Sequence, residues 1–321
     1  MPAKNRMNVL LTCMGSTTAI SVAKALSSQG EYEVTIIGTD IHTKDMIAGS
    51  QFCHDFYTIS PVQHEAQYLE DIRRIITAHR VDLVIPIIDP ELEVLARNRH
   101  LIERDTFLLL SPLETIRVCN DKLRMFQLLM EEGIPTLATF PPYEKDPGLL
   151  PYPLVVKPRF GWGSHHVHEI ARPEDLSILP LIRDPLLQEK GRGREFTIDV
   201  FSDGDQVIAV LPRWRIETRA GITYKGESAH HPLLCEYAER IAEILHILGP
   251  ANIQCFVDGD DIRILEVNPR FSAGLPLSTA SGVNLPLLAL KMARGETLTP
   301  QRTFKQTRMC RYWEEVFYER T

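Results

Sequence analysis

Glu266, Asn268 and Gln254 are the side chains of this sequence whose types and spacing best suit chemistry on a phosphate. Residues 252–257 and 262–270 read as two strands joined by a turn over Asp258, Gly259, Asp260 and Asp261. The period-two alternation of a strand predicts Glu266 and Asn268 on one face, with Ile262 and Ile264 beneath them. Gln254 joins that face if Asp258 pairs with Ile262, which leaves a three-residue loop over 259–261 or a bulge of equal parity; a two-residue loop turns it away. Three oxygen donors on adjacent rungs suit magnesium, which accepts carboxylate and amide oxygens and leaves positions for phosphate and water. Arg270, freed from the ladder after Pro269, can reach a phosphoryl group beside the ion. An isolated Glu-x-Asn is more often an ordinary hairpin end, so the rest of the chain has to decide.

Lys157 closes the apolar run 152–156 and precedes Pro158 and the loop Gly161-Trp162-Gly163-Ser164. A lysine there can pair with phosphate oxygens while glycine amides approach them closely. Lys122 falls in the first turn of a predicted helix, where its charge opposes the macrodipole; a ligand role slightly outweighs a solvated lysine. Gln188, Glu189 and Lys190 leave an apolar strand, pass Gly191-Arg192-Gly193-Arg194 and enter another strand at Glu195. Extended backbone of this kind can bond an adenine edge, and a carboxylate a few residues on can hold a ribose. Alone, this is only a charged hairpin.

The elements that must position these residues fall into two styles. The first third alternates short β-rich runs (8–12, 34–38, 82–87, 106–110) with amphipathic helical patterns (18–28, 64–79, 90–104), which predicts βαβ units on a parallel sheet. Asn120 reads as the N-cap of a helix ending at Glu132, with Gly133 as its stop. Six prolines from Pro135 to Pro153 mark an extended connection into a strand at 154–157. Strands at 167–170, 186–190, 195–201 and 206–211 follow, with a helix from Pro173, a turn at Asp203-Gly204-Asp205 and an amphipathic helix over 232–248. The fold class is therefore α/β followed by α+β, changing near residue 120.

The chain has 321 residues, room for two or three cores, and a formal charge of −7. No Lys/Arg cluster is dense enough to track nucleic acid, and no run reaches the roughly 20 apolar residues of a membrane span. Six scattered cysteines without a C-x-x-C pair suggest reduced thiols, and the expected location is the cytoplasm.

Taken in order, Asn120-Asp121-Lys122, 153–158, Gly161-Trp162-Gly163, Gln188-Glu189-Lys190, Arg194-Glu195-Phe196 and Glu266-Val267-Asn268-Pro269-Arg270 resemble the ATP-grasp superfamily, most closely the ATP-binding half of the carbamoyl phosphate synthetase large subunit. The resemblance covers nearly the whole chain. It implies a Rossmann-like pre-ATP-grasp domain over 1–118 and a two-subdomain ATP-grasp domain over 119–321 with a lid at about 137–187. It further implies ATP and two magnesium ions, with manganese as alternative, on Gln254, Glu266 and Asn268. Lys122, Lys157 and the loop Gly161, Gly163 and Ser164 would contact phosphates; Gln188, Glu189 and Lys190 would frame adenine; Glu195 would bind ribose; and Arg270 would steady the transferred phosphoryl group. Many members carry an acid where this chain has Gln254, although glutamine is found there in the carbamoyl phosphate synthetases. The implied activity is an ADP-forming carboxylate–amine ligase working through an acyl phosphate on small-molecule substrates, with homo-oligomerisation left open.

Two rivals remain: carbamoyl-phosphate-synthetase-like activation of bicarbonate, and a nucleotide-binding protein without turnover. A dehydrogenase reading with Asp40 as ribose acid has little support, because the turn Cys13-Met14-Gly15-Ser16-Thr17 lacks G-x-G-x-x-G. Gly15, Ser16, Asp40 and Asp89 at strand ends could border the acceptor cleft, although caps and turns more often explain such residues. His165, His166 and His168 read as loop rather than zinc ligands. Arg213, Arg215, Arg219 and Lys225 fit a phosphate- or carboxylate-binding strand and a solvated face equally well.

Overall fold

The apolar run at 7–11 becomes β1 (Asn5–Leu11), the central strand of a parallel sheet ordered β3 (Asp55–Thr58), β2 (Tyr32–Asp40), β1, β4 (Leu83–Ile85), β5 (Phe107–Leu108). A computed structural model describes residues 5–104, 106–144, 146–161, 163 and 166–319. Helix α1 (Thr17–Ser28) covers one sheet face with Ala19, Val22 and Leu26, while α2 (Glu65–His79) and α3 (Asp89–Arg97) cover the other with Tyr68, Ile72, Leu92 and Leu95. Burial on both faces is why β1 reads as a continuous apolar run rather than an alternation. The strand order reverses between β1 and β4, so the loops after these two strands meet at the topological switch point. The helix expected over 90–104 is broken at Asn98, beyond which α4 (Arg99–Ile102) is a single turn.

Helices α5 (Leu113–Asn120) and α6 (Lys122–Glu131) meet at Asp121, not at the expected cap Asn120, which ends α5. The Asp121 carboxylate accepts from the Arg124 amide at 3.2 Å and from Arg159 at 2.7 and 2.6 Å, a charge-assisted pairing asparagine cannot make. The proline-rich connection then leads into a small sheet, β6 (Thr139–Phe140), β9 (Pro185–Glu189), β7 (Leu154–Pro158), β8 (His168–Ile170), with its own core of Leu154, Val156, Ile170 and Leu187. The helix expected from Pro173 is a 3₁₀ segment, Pro173–Leu181, and contains Pro180, which cannot continue an α-helical ladder.

A six-stranded antiparallel sheet completes the fold, in the order β14 (Asp261–Asn268), β13 (Leu248–Asp258), β10 (Arg194–Asp203), β11 (Val207–Arg219), β12 (Ile222–Ser228), β15 (Arg308–Cys310). One face packs on α7 (Pro232–Ile244) through Ile198, Val200, Ile241 and Ile253. Helix α7 stops four residues before its predicted end: His246 and Gly249 take left-handed backbone, and Leu248 already belongs to β13. Helices α8 (Leu275–Ala280) and α9 (Leu285–Ala293) pack on α1, so a single core joins the parallel sheet to the end of the larger one.

The β13–β14 hairpin departs from expectation in a way that matters for function. Asp258 pairs with Asp261, leaving the two-residue loop Gly259-Asp260 that was expected to turn Gln254 away. A bulge at Leu265 restores the parity, since Cys255 pairs with Ile264 while Gln254 pairs with Glu266. The bulge also switches faces: Ile262, Ile264 and Val267 enter the core, whereas Glu266 and Asn268 lie on the opposite side. Ile262 and Ile264 are therefore not beneath Glu266, as simple alternation predicted. Ile264 sits at this shift because its backbone also bonds the incoming chain, with Ile264 N donating to Pro135 O at 2.9 Å and Leu137 N donating to Ile264 O at 3.1 Å.

Candidate active site

The sheet face turned from the core carries Glu266, Gln254, Thr197 and Arg213 as one cross-strand row, with Asn268, Asn252 and Asp199 on the next rung. The bulge is what brings β14 into that row. Asn268 Nδ2 donates to Glu266 Oε1 at 3.1 Å and to Asn252 Oδ1 at 3.3 Å, which fixes the side-chain oxygen of Asn268 and one oxygen of Glu266 as free acceptors. These hard oxygens fit magnesium or manganese. Among the described residues no group of three His, Cys, Asp or Glu could hold a metal, so any such site relies on amide donors.

Lys157 is on β7, paired with Leu186, and its side chain lies on the sheet face opposite Leu154, Val156 and Leu187. It is 5 % exposed, and its Nζ has no hydrogen-bond partner among the described residues. Burial pushes its ammonium down to about 8; Glu266 opposes that shift and Lys122 adds to it. Lys122 is lowered by burial too, against the pull of Glu266, Asp89 and Asp121, and its Nζ donates to Gly161 O at 2.8 Å. Burial works against the charge of Arg270, but Asp89 and then Glu266 reverse the effect and its pKa is raised. Glu195 is raised by burial, relieved in part by Arg215 and reinforced by Glu266. Glu266 thus acts on all four groups and is the electrostatic centre of the site.

The other predicted residues divide. Gln188 is buried and donates to Thr139 Oγ1 at 2.8 Å. The Glu189 amide is taken by Ala138 O at 2.8 Å, so the backbone edge available to a base begins at Lys190, whose side chain pairs with Glu169 at 2.7 Å. Gly193 has φ +78°, and any Cβ there would lie 2.2 Å from Val257 O, which draws this turn down onto β13. Gly161 and Gly163 have positive φ; Trp162, Ser164 and His165 lie outside the described residues. Arg270 holds Asp89 through two bonds of 2.8 and 2.7 Å, linking the β13–β14 hairpin to the N-terminal end of α3.

The four strand-borne cations separate by burial. Arg219 and Lys225 both pair with Glu217 on the exposed end of the sheet. Arg213 is 1 % exposed and holds Asp199 at 2.9 and 2.7 Å together with Ser272 at 2.8 Å, a structural pair beneath the loop after Arg270. Arg215 contacts both Glu195 and Gln254. Sequence reasoning missed Asn252 and Thr139. Continuing the alternation from Gln254 would have found the first, but nothing local marks the second.

Comparison with known proteins points to relatives of the same fold. Residues 182–315 match the family described as ATP-grasp in the biosynthetic pathway with Ter operon, and residues 9–107 match the PylC-like N-terminal domain. The carbamoyl phosphate synthase large chain of Agathobacter rectalis is 31 % identical over 58 % of this chain and 19 % of its own length. The chain spans between about a fifth and a quarter of the curated relatives it matches. Among solved structures, a biotin carboxylase from Campylobacter jejuni superposes with a TM-score of 0.73 at 16 % identity, covering 95 % of this chain and 75 % of that one. An L-amino acid ligase from Bacillus licheniformis gives 0.68 at 19 % identity over 91 % and 75 %. The parallel-sheet N-terminal layer and the antiparallel sheets are those of the ATP-grasp fold, and residues 182–315 match an ATP-grasp family model.

Proposed function

We propose that this protein is an ATP-dependent, ADP-forming ligase that activates a small-molecule carboxylate as an acyl phosphate and passes the acyl group to an amine. The supporting observation is the buried Lys157 ammonium, which has no hydrogen-bond partner among the described residues and feels the Glu266 carboxylate of the neighbouring sheet. A charge left without a partner at such depth is costly unless an anionic ligand completes it.

In this reading residues 1–118 form the pre-ATP-grasp domain and 119–321 the ATP-grasp domain, with 137–187 as the lid. The nucleotide lies between the small sheet and the cleft face of the large one. Lys122, Lys157 and the 161–164 loop hold its phosphates, Gln188 to Lys190 line the base, and Glu195 takes the ribose. Magnesium or manganese would be held by Glu266 and Asn268 and would neutralise phosphate charge; the family resemblance implies a second ion that includes Gln254. In-line transfer of the γ-phosphoryl group requires positioning and charge neutralisation rather than covalent help from the protein. Arg270, held by Asp89, supplies a fixed positive charge beside Glu266. An amine then displaces phosphate while the lid excludes water. The reaction fits the cytoplasm, and no helix among the described residues is long and apolar enough to cross a membrane. Phosphate and ADP release, screened over amino acids, amino-acid pairs and bicarbonate with Glu266→Gln as the blank, tests the reading. Equal turnover by both proteins would sink it, and turnover with bicarbonate alone would favour the carbamoyl-phosphate rival.

A further inference from the structure

Arg215 reaches from β11 across β10 to the metal row. Its Nη1 donates to Glu195 and, at 3.3 Å, to Gln254 Oε1; its Nη2 donates to Gly221 O at 2.6 Å; and the side chain is 7 % exposed. A guanidinium carries only donors, so the amide atom that meets it must be the oxygen of Gln254. The amide nitrogen of Gln254 therefore faces the other way, where it has no partner among the described residues.

We propose that Arg215 converts Gln254 from a metal ligand into a hydrogen-bond donor to the nucleotide's phosphate, so that the site holds one divalent ion, on Glu266 and Asn268, rather than two. The inference rests on the nucleotide reading above. Three observations carry it. A dication on the remaining lone pair of Gln254 Oε1 would stand within about 5 Å of a full positive charge in a poorly screened site. Glu195, the other carboxylate near the row, is itself paired with Arg215, and the described residues offer no group of three His, Cys, Asp or Glu that could hold an ion there. Swinging Arg215 aside would leave the Glu195 charge buried without its partner and would also forfeit the Gly221 carbonyl, so the guanidinium has strong reason to stay. The exposed NH2 of Gln254 suits a phosphate oxygen and repels a cation.

The test is to count ions. Full-length protein is saturated with ADP or a non-hydrolysable ATP analogue, Mn2+ is titrated, and bound metal is measured by electron paramagnetic resonance. One Mn2+ per chain is expected; two per chain with nucleotide bound would overturn the proposal while leaving the ligase reading intact. A chain that bound neither nucleotide nor Mn2+ would overturn both. Gln254→Met provides a second readout that does not depend on catalysis. It is expected to weaken nucleotide binding about three- to tenfold, the loss of one phosphate hydrogen bond, and to leave Mn2+ affinity within about twofold. A Mn2+ affinity reduced tenfold or more in that variant would identify Gln254 as a ligand and refute the proposal.

Discussion

The crevice at the ends of the parallel strands and the cleft on the antiparallel sheet both gather polar residues, yet their charged groups are satisfied differently. In the first, Glu91 is buried without a cation and accepts from Thr12 Oγ1 at 2.6 Å, Tyr68 Oη at 2.7 Å and the amides of Ile87 and Ile88 at 2.7 and 3.0 Å. Burial still raises its pKa against those four bonds. Asp40 takes the Gly15 amide at 2.8 Å and the His42 amide at 3.1 Å, Ser16 caps α1, and Asp89 belongs to Arg270. In the second, among the described residues, Lys157 Nζ and Gln254 Nε2 have no partner and one oxygen of Glu266 accepts no hydrogen bond. A polar group satisfied within the protein reads as structure, while a buried one without a partner reads as a place for a ligand. The carboxylates of the dinucleotide-style crevice are thus satisfied within the protein and hold the loops that carry Asp89 to Arg270, while Thr39 Oγ1 is buried there without a partner among the described residues.

That contrast is broken most directly by Glu266→Gln, expected to lower ADP release by about 10²–10³-fold with little change in melting temperature. A large loss of stability instead would make Glu266 structural. Glu91→Ala should do the reverse. Stranding two hydroxyls and two amides is expected to cost about 3–5 kcal/mol in denaturant unfolding, with ADP affinity of the folded fraction unchanged. Lys157→Met sharpens the comparison from the other side. A lysine whose folded pKa falls from 10.5 to about 8 carries its full penalty below pH 8, so the variant should gain up to about 3 kcal/mol at pH 7 while losing nucleotide binding. The gain should shrink as pH rises from about 8 towards 10.5, because the native lysine sheds its proton there. A variant less stable than the parent at pH 7 would mean that Lys157 is already satisfied. The smallest expected effect is on ADP affinity in the wild type. It should fall as pH climbs above about 8, by at most about tenfold per unit, as the free Lys157 loses its charge; a flat profile in calorimetric titrations to pH 9.5 would deny it a phosphate role.

The period-two and 3.6-residue patterns, the order of Lys122, Lys157, Glu195 and Glu266-x-Asn268, and the change from α/β to α+β near residue 120 were all legible in the chain, since each follows from local propensity or from motifs tied to single elements. Helix ends slipped where neighbouring chain decided them, as at Asp121, which is drawn into a pair with Arg159, and at Ile244, where α7 stops ahead of β13 at Leu248. What tertiary structure alone decided was which way the β13–β14 hairpin faces and what each cation is worth. The Leu265 bulge forms where the backbone of Ile264 also bonds residues from Pro135 to Leu137, more than 120 positions away, and it turns Glu266 into the cleft rather than the core. Likewise, no local spacing distinguishes Arg213, sealed against Asp199, from Arg215 beside Gln254, or from Arg219 at the exposed end of the sheet. Those outcomes depend on partners brought together from distant strands, and burial and pairing are properties of the assembled sheets rather than of any one segment.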